Sequence, residues 1–281
     1  MCIVVCSSRP DHLADYQQPP VIETVLSLQF DQLKDFKLVD FRPLHDLFRE
    51  RFPNIEERSP LESVFETFGP REAASVRLEL HGMPPLPRVW FVNDSGSELV
   101  QFQTDRLAHN WRKGPRDEKY PRYEAIRASF RKEVETLQEW LRAARKVSSI
   151  QPTQCEVTYV NHISVGDNAA SSWDLGRAIS IVSPAADLPF ADDFEDLRFA
   201  LRFRIKNKAG EPYGRLHVRA DPISGRNGEP IVGMVLTARG RPEPANLDGV
   251  FSFFDAGHER IVTAFTEMTN QEMHKRWERI K

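Results

Sequence analysis

Two long stripes of apolar residues at helical spacing, each placed after a run of segments with period-two alternation, constrain this chain most. In the first, Tyr123, Ile126, Phe130, Val134, Leu137, Leu141 and Ala144 recur at three- and four-residue steps behind Tyr120-Pro121, with Arg, Lys and Glu on the outer side. That spacing predicts one long amphipathic helix. The second stripe, Phe251, Phe254, His258, Ile261, Phe265 and Met268, predicts another long helix beginning near Gly249. A helix with one apolar stripe must bury it, and a sheet is the economical partner. The expected fold class is α+β. Two β-α-β-β-β-α units would each form an antiparallel sheet covered by a long helix, and could join edge to edge into one extended sheet that protects its own edges.

The predicted first unit spans 19–147, behind an irregular N-terminal segment 1–18. After Pro19-Pro20 a strand places Ile22, Thr24, Leu26, Leu28 and Phe30 on one face and Glu23, Ser27 and Gln29 mostly on the other. A short helix follows around Phe41–Phe52, with Pro43 in its first turn and Pro53 stopping it. Residues 54–74 read as a loop, and strands are expected at Ser75–Leu80, Arg88–Val92 and Glu98–Thr104. Ser148–Pro152 reads as a linker to the second unit, 153–281. There strands are expected at Cys155–Ile163, Leu197–Lys206, Gly214–Ala220 and Pro230–Arg239, with a short helix at Trp173–Ser183 and an acidic loop carrying Asp187, Asp192, Asp193, Glu195 and Asp196. Thr269-Asn-Gln-Glu272 matches a capping box and predicts a last helix carrying Met273 and Trp277.

Composition excludes several function classes. The chain has 281 residues, 40% hydrophobic and 28% charged, with a net charge of −3. That balance gives no overall signal for nucleic acid or membrane. No apolar run reaches the roughly 18 residues needed to span a bilayer. The start Met1–Cys6 lacks the basic region of a signal peptide, so a cytoplasmic protein is expected. Cys2, Cys6 and Cys155 do not make a disulfide framework, and free thiols are expected. His258 and His274 do not share a helix face, and His258 lies within the apolar stripe, so it reads as a core or interface histidine. No metal site, cofactor motif, Walker loop or nucleophile elbow is present, so no metal and no cofactor are expected and catalytic residues stay unassigned.

Two polar constellations stand out. Gln101 and Gln103 share one face of their strand, and Asp105, Arg106, Asn110 and Trp111 fall in what reads as a turn before the long helix. Arg offers a bidentate fork, Asn an edge-reading amide and Trp a stacking surface, which together suit a planar polar ligand. The same residues also suit a structural clasp, with Trp111 and Tyr123 packed between sheet and helix. The second constellation is a basic sheet face. Leu197, Phe199, Leu201, Phe203 and Ile205 alternate with Arg198, Arg202, Arg204 and Lys206, and the next strand adds Arg215, His217 and Arg219. This face suits a polyanion or an acidic protein, or is a solvated surface offset by the acidic loop.

Several segments together resemble a known family. They are Pro19-Pro-Val-Ile-Glu23, Gln101-Phe-Gln-Thr-Asp-Arg106, Asn110-Trp-Arg-Lys113, Tyr120-Pro-Arg-Tyr123, Val157-Thr-Tyr-Val-Asn161, and Phe254-Asp-Ala-Gly-His258 with Trp277. The resemblance is to a sporadically distributed family of uncharacterised bacterial and archaeal proteins, and it runs from about residue 17 onward. It implies a prokaryotic protein, and through the patchy distribution of the family a role linked to mobile elements or defence. It implies no activity, substrate or cofactor. Asn161 joins Tyr123 and the Gln101–Trp111 group as a candidate ligand-binding residue through these segments.

The leading expectation is a non-catalytic binding or interaction protein that uses a sheet face or the groove between units to hold an anionic or protein partner. Nucleic acid is not favoured, a membrane partner is not expected, and self-association is compatible with the pattern. The alternatives are a hydrolase or transferase with a pocket built from Asp105, Arg106, Asn110 and His162, and a structural or regulatory subunit of a complex.

Overall fold

A computed structural model describes residues 10–69, 85–114, 118–144, 146–165, 178–181, 196, 198–225 and 228–281. Among these the chain is α+β, with one nine-stranded antiparallel sheet and four α-helices. The strands are β1 Val21–Phe30, β2 Asn54–Arg58, β3 Arg88–Val92, β4 Glu98–Gln103, β5 Arg106–Arg112, β6 Pro152–Ser164, β7 Phe199–Lys206, β8 Pro212–Ser224 and β9 Pro230–Gly240. The helices are α1 Phe41–Phe48, α2 Tyr123–Ala143, α3 Leu247–Met268 and α4 Gln271–Arg276. The strand order is β2-β3-β4-β5-β1-β6-β9-β8-β7. β1 and β6 pair antiparallel at the centre, with Leu26 opposite Val157 and Leu28 opposite Cys155.

Strand alternation gives the sheet two unlike faces. One carries Leu26, Leu28, Phe102, Leu107, Val157, Leu216, Leu236 and Ala238, all buried. α2 packs on this face against β1 and β5, and α3 packs on it against β6, β8 and β9. Apart from Ala144, which is exposed just beyond α2, the two stripes read from sequence are the buried sides of these helices: Phe130, Val134 and Leu137 on α2, and Phe251, Phe254 and Ile261 on α3. Each such side chain contributes roughly 1.5–3 kcal/mol by leaving water. Close approach of α3 requires small residues beneath it. A Cβ at Gly240 would lie 2.5 Å from the Phe253 ring, and one at Gly214 would lie 2.9 Å from it.

Several expectations are corrected. The residues read as a turn before α2 form β5, because Leu107, His109 and Trp111 alternate with Arg106, Ala108 and Asn110 and find neighbours on both sides. Its polar content hid the period. The stretch read as a loop at 54–74 opens with β2, an edge strand whose residues are mostly exposed, so no apolar alternation marks it. The short helix ends at Phe48 rather than Phe52. The last helix is capped by Asn270, which accepts from Met273 N at 3.0 Å, while the Thr269 hydroxyl donates to Phe265 O. On the edge strand β7 only Ile205 of the apolar set is buried, and Phe203 is 44% exposed. The strand expected at Ser75–Leu80, Cys2 and Cys6, and the acidic residues Asp187, Asp192, Asp193 and Glu195 lie outside the described residues. So does most of the helix expected at Trp173–Ser183. Its described residues 178–181 form a turn in which Ile179 bridges to Thr269. Among the described residues no helix is long and apolar enough to cross a membrane.

A candidate ligand-binding face

The other face of the sheet is polar across most of its width. On its first half the side chains of neighbouring strands form a hydrogen-bonded ladder. Trp90 Nε1 and Arg88 Nη1 donate to Gln101 Oε1 at 2.9 and 2.8 Å, Gln101 Nε2 donates to Asn110 Oδ1 at 2.6 Å, and Asn110 Nδ2 donates to Glu23 Oε1 at 2.6 Å. Gln101 is 9% and Asn110 is 5% exposed, so this ladder is buried structure rather than a solvated surface. The guanidinium of Arg58 lies 4.5 Å from the centre of the Trp90 ring.

Residues 61–68 run over this face as an extended strap and cross from β4 to β8. Two glutamines read its backbone with both atoms of their amides. Gln103 Nε2 donates to Leu61 O while its Oε1 accepts from Leu61 N, each at 2.8 Å. Gln29 does the same to Val64, donating to its carbonyl at 2.8 Å and accepting from its N–H at 3.2 Å. Between them the Ser63 hydroxyl donates to Asp105, and Arg106 donates to the Glu62 carbonyl at 3.2 Å. The far end is held by charge. Glu66, 8% exposed, accepts from Arg215 Nη1 and from His217 Nε2 at 2.6 Å, with Arg239 Nη1 at 3.7 Å. Arg215 also donates to Thr67 O at 2.7 Å and lies over the Phe68 ring. Burial works against the Glu66 carboxylate, but His217 and Arg215 outweigh it and hold its pKa below the ordinary glutamate value. The strap turns apolar side chains outward: Leu61, Val64 and Phe65 are 42%, 45% and 54% exposed.

The structure therefore divides the candidate residues. Gln101, Gln103, Asp105, Arg106 and Asn110 all belong to the polar face or to the strap that lies on it. Trp111, Tyr123 and Asn161 do not. Trp111 points to the helix side, with its ring 5.1 Å from that of Tyr120. Arg106 lines a cavity beneath the strap, which Asp105, Asn110 and His162 do not line. Burial holds the Arg106 guanidinium below its usual pKa, against the pull of Asp105 and Glu156. The pairing of β7 with β8 places Arg202 opposite His217 and Arg204 opposite Arg215, as a shared basic face requires. That face is not open throughout: Arg215 and His217 are committed to Glu66, whereas Arg198, Arg202, Arg204 and Arg219 are exposed. Sequence reasoning missed Glu66 and Gln29. An extended loop carries no periodicity, and its one signal was two glutamates, Glu62 and Glu66, set among apolar residues in Leu61–Phe68.

The helix side holds a second polar group. Tyr120 donates to the Tyr159 hydroxyl at 3.0 Å, and the Tyr159 hydroxyl meets His258 Nδ1 at 2.9 Å. Tyr123 stacks on His258 with ring centres 3.9 Å apart, and its hydroxyl donates to Asp255 at 2.7 Å. Burial and the Asp255 charge push the Tyr123 phenol well above its usual pKa. Pro19, Pro20, Tyr120, Tyr159, Asn161 and His258 surround a cavity of about 50 Å³, room for a water molecule or two. Arg122, in a left-handed conformation at φ 75°, anchors the N-terminal arm there through Asp15 Oδ1 and Tyr16 O, at 3.0 and 2.9 Å. Most segments that carry the family resemblance thus converge either here or on the ladder and strap. His258 is the core histidine that its place in the stripe implied, at 4% exposure. Cys155 is fully buried, and burial raises its thiol pKa well above the usual value, which leaves it unreactive.

No protein-family model, curated protein or solved structure matches this chain.

Proposed function

We propose that this chain is a non-catalytic binding protein whose polar sheet face holds an extended, acidic segment of a protein partner. The observation that carries this reading is the strap itself. Its backbone is clamped by two complete amide pairs, and its buried acidic side chain, Glu66, sits among Arg215, His217 and Arg239. Main-chain hydrogen bonds to a sheet-borne surface, with a charged socket for one side chain, are how extended peptides are commonly held. Residues 61–68 would then be an internal occupant that a partner segment replaces.

The arrangement also supports a two-unit reading, with units at 19–147 and 153–281. Outward from β1 the neighbours are β5, β4 and β3, and outward from β6 they are β9, β8 and β7, so in each case the last strand before the long helix returns beside the first. β2 is the extra edge strand. In this reading each unit has its own helix cover, and the protein works in the cytoplasm.

The test is a labelled synthetic peptide of residues 59–69 offered to the full chain and to its Glu66→Gln variant. Loss of the charge in cis loosens the strap, so the variant is expected to bind the peptide at least about tenfold more tightly than the parent chain, since a competing internal ligand lowers apparent affinity by the fraction of sites it fills. A peptide with Gln in place of Glu66 is expected to bind neither. Failure of the peptide to bind the variant overturns the reading.

A further inference from the structure

Beneath the strap lies a cavity of about 460 Å³, lined among others by Ser27, Gln29, Glu62, Arg106, Gln154 and Arg239. Its size is that of small-molecule sites. Gln154 lies opposite Gln29 in the pairing of β6 with β1, and is 1% exposed. Neither Nε2 nor Oε1 of its amide has a partner among the described residues. An amide buried in this way is destabilising, and buried polar groups are otherwise almost always paired. Arg106 repeats the pattern. One Nη2 serves Gln29 and the Glu62 carbonyl, its Nε is buried without a partner, and no carboxylate reaches ion-pair distance among the described residues. Arg239, the other cation of the lining, is already matched, since its Nε donates to Glu156 at 2.5 Å.

The chemistry of the ligand follows from what is unmet. Gln29 and Gln103 each use both amide atoms on the N–H and C=O of one residue, and Gln154 presents the same donor–acceptor edge with no such pair to hold. Arg106 supplies the cation for an anionic group beside it. The lining has no aromatic side chain on which a nucleobase would stack, which favours an amide over a base. We propose that this cavity binds a small molecule carrying one secondary amide and one carboxylate, of the acylated amino acid or dipeptide class. The amide N–H and one carboxylate oxygen of the same residue would pair with Gln154, and the other carboxylate oxygen with Arg106. The groups that would hold the ligand are not those that hold Glu66, but Leu61, Glu62 and Val64 of the strap line the cavity and Arg106 also donates to Glu62 O, so the site is the one the chain forms with its own strap docked.

The experiment is calorimetric titration of the full chain with N-acetylglycine, against acetate and N-methylacetamide as its two halves. The parent chain is expected to bind N-acetylglycine more tightly than either half. Gln154→Leu is expected to weaken that binding roughly tenfold or more, the loss of a paired hydrogen-bonding edge. The same substitution should raise the melting temperature of the free protein, because it removes an unmatched buried amide. Arg106→Lys is expected to weaken N-acetylglycine and acetate together and leave N-methylacetamide unchanged. Equal affinity in the parent and Gln154→Leu chains overturns the proposal, as does a parent chain that responds no more to N-acetylglycine than to acetate. If Gln154→Leu does not fold, the parent chain still decides through an intermolecular nuclear Overhauser effect from the acetyl methyl to a glutamine side-chain amide. Its absence at saturating probe overturns the proposal.

Discussion

The two faces of the sheet are built from the same strands and held by opposite means. On the helix side, alternate residues of β1, β5, β6, β8 and β9 are apolar and bury themselves under α2 and α3, so that face closes by area. On the other side, the intervening residues include Glu, Gln, Asn, Arg and Thr beside a few apolar ones such as Val25 and Leu99, and much of that face closes by matching donors to acceptors and charges to charges. Area is indifferent to which apolar group supplies it, whereas matching is specific to the partner. The apolar face therefore has to be complete within the chain. The polar face can be completed by the chain's own strap or by another molecule with the same complement of groups. The unmatched Gln154 and Arg106 fall on that second face, where an unfinished site would be expected.

The comparison breaks most sharply at the apolar face. Phe254 is fully buried between α3, α2 and the sheet, with its ring 5.7 Å from that of Phe130. Phe254→Ala is expected to cost about 3–5 kcal/mol in urea denaturation, the range for large aromatic truncations in a core. A smaller effect is expected where the helix side itself relies on matching. Tyr123→Phe keeps the stacking on His258 but leaves Asp255 to Arg127 alone. It should cost about 1 kcal/mol by the same measurement, the net worth of one hydrogen bond.

The unequal legibility of the two faces follows from the same physics. Apolar burial repeats with the period of the element, so both long helices and β1, β6, β8 and β9 could be read within a few residues of their ends. β5 could not, because His109, Asn110 and Arg106 broke the apolar alternation while still being buried or half-buried through partners on other elements. His109, for instance, is 1% exposed and bonds to Glu133 of α2 at 2.9 Å, a pair with no signature in the local sequence. The candidate residues were chosen as one cluster by proximity in sequence. Strand alternation then sent Gln101, Gln103, Arg106 and Asn110 to one face and Trp111 to the other. Glu66 was illegible for a further reason: its partners Arg215 and His217 lie about 150 positions away, and only the folded sheet brings them together.

The smallest global effect should come from the strap, and pH isolates it. The Glu66 carboxylate faces Arg215 and His217 of β8 and Arg239 of β9, with Glu156 of β6 held by the same Arg239. Burial alone would raise its pKa, and His217 and Arg215 more than offset this, so the folded value lies below the ordinary 4.5. A carboxylate whose folded pKa is depressed contributes its stabilisation above the unfolded pKa and loses it as the pH falls through the folded one. Docking of the strap is therefore expected to be complete near neutrality and to fail only below pH 4.5. Hydrogen exchange followed residue by residue checks this, with α3 in the same sample as the internal standard. Amides of 61–68 should lose protection relative to α3 on acidification. In Glu66→Gln the strap should be poorly protected at every pH, with no step on acidification, and α3 should be unchanged. If the strap and α3 instead lost protection together, the polar face would be an integral part of the core, and the division between a face closed by area and a face closed by matching would fall.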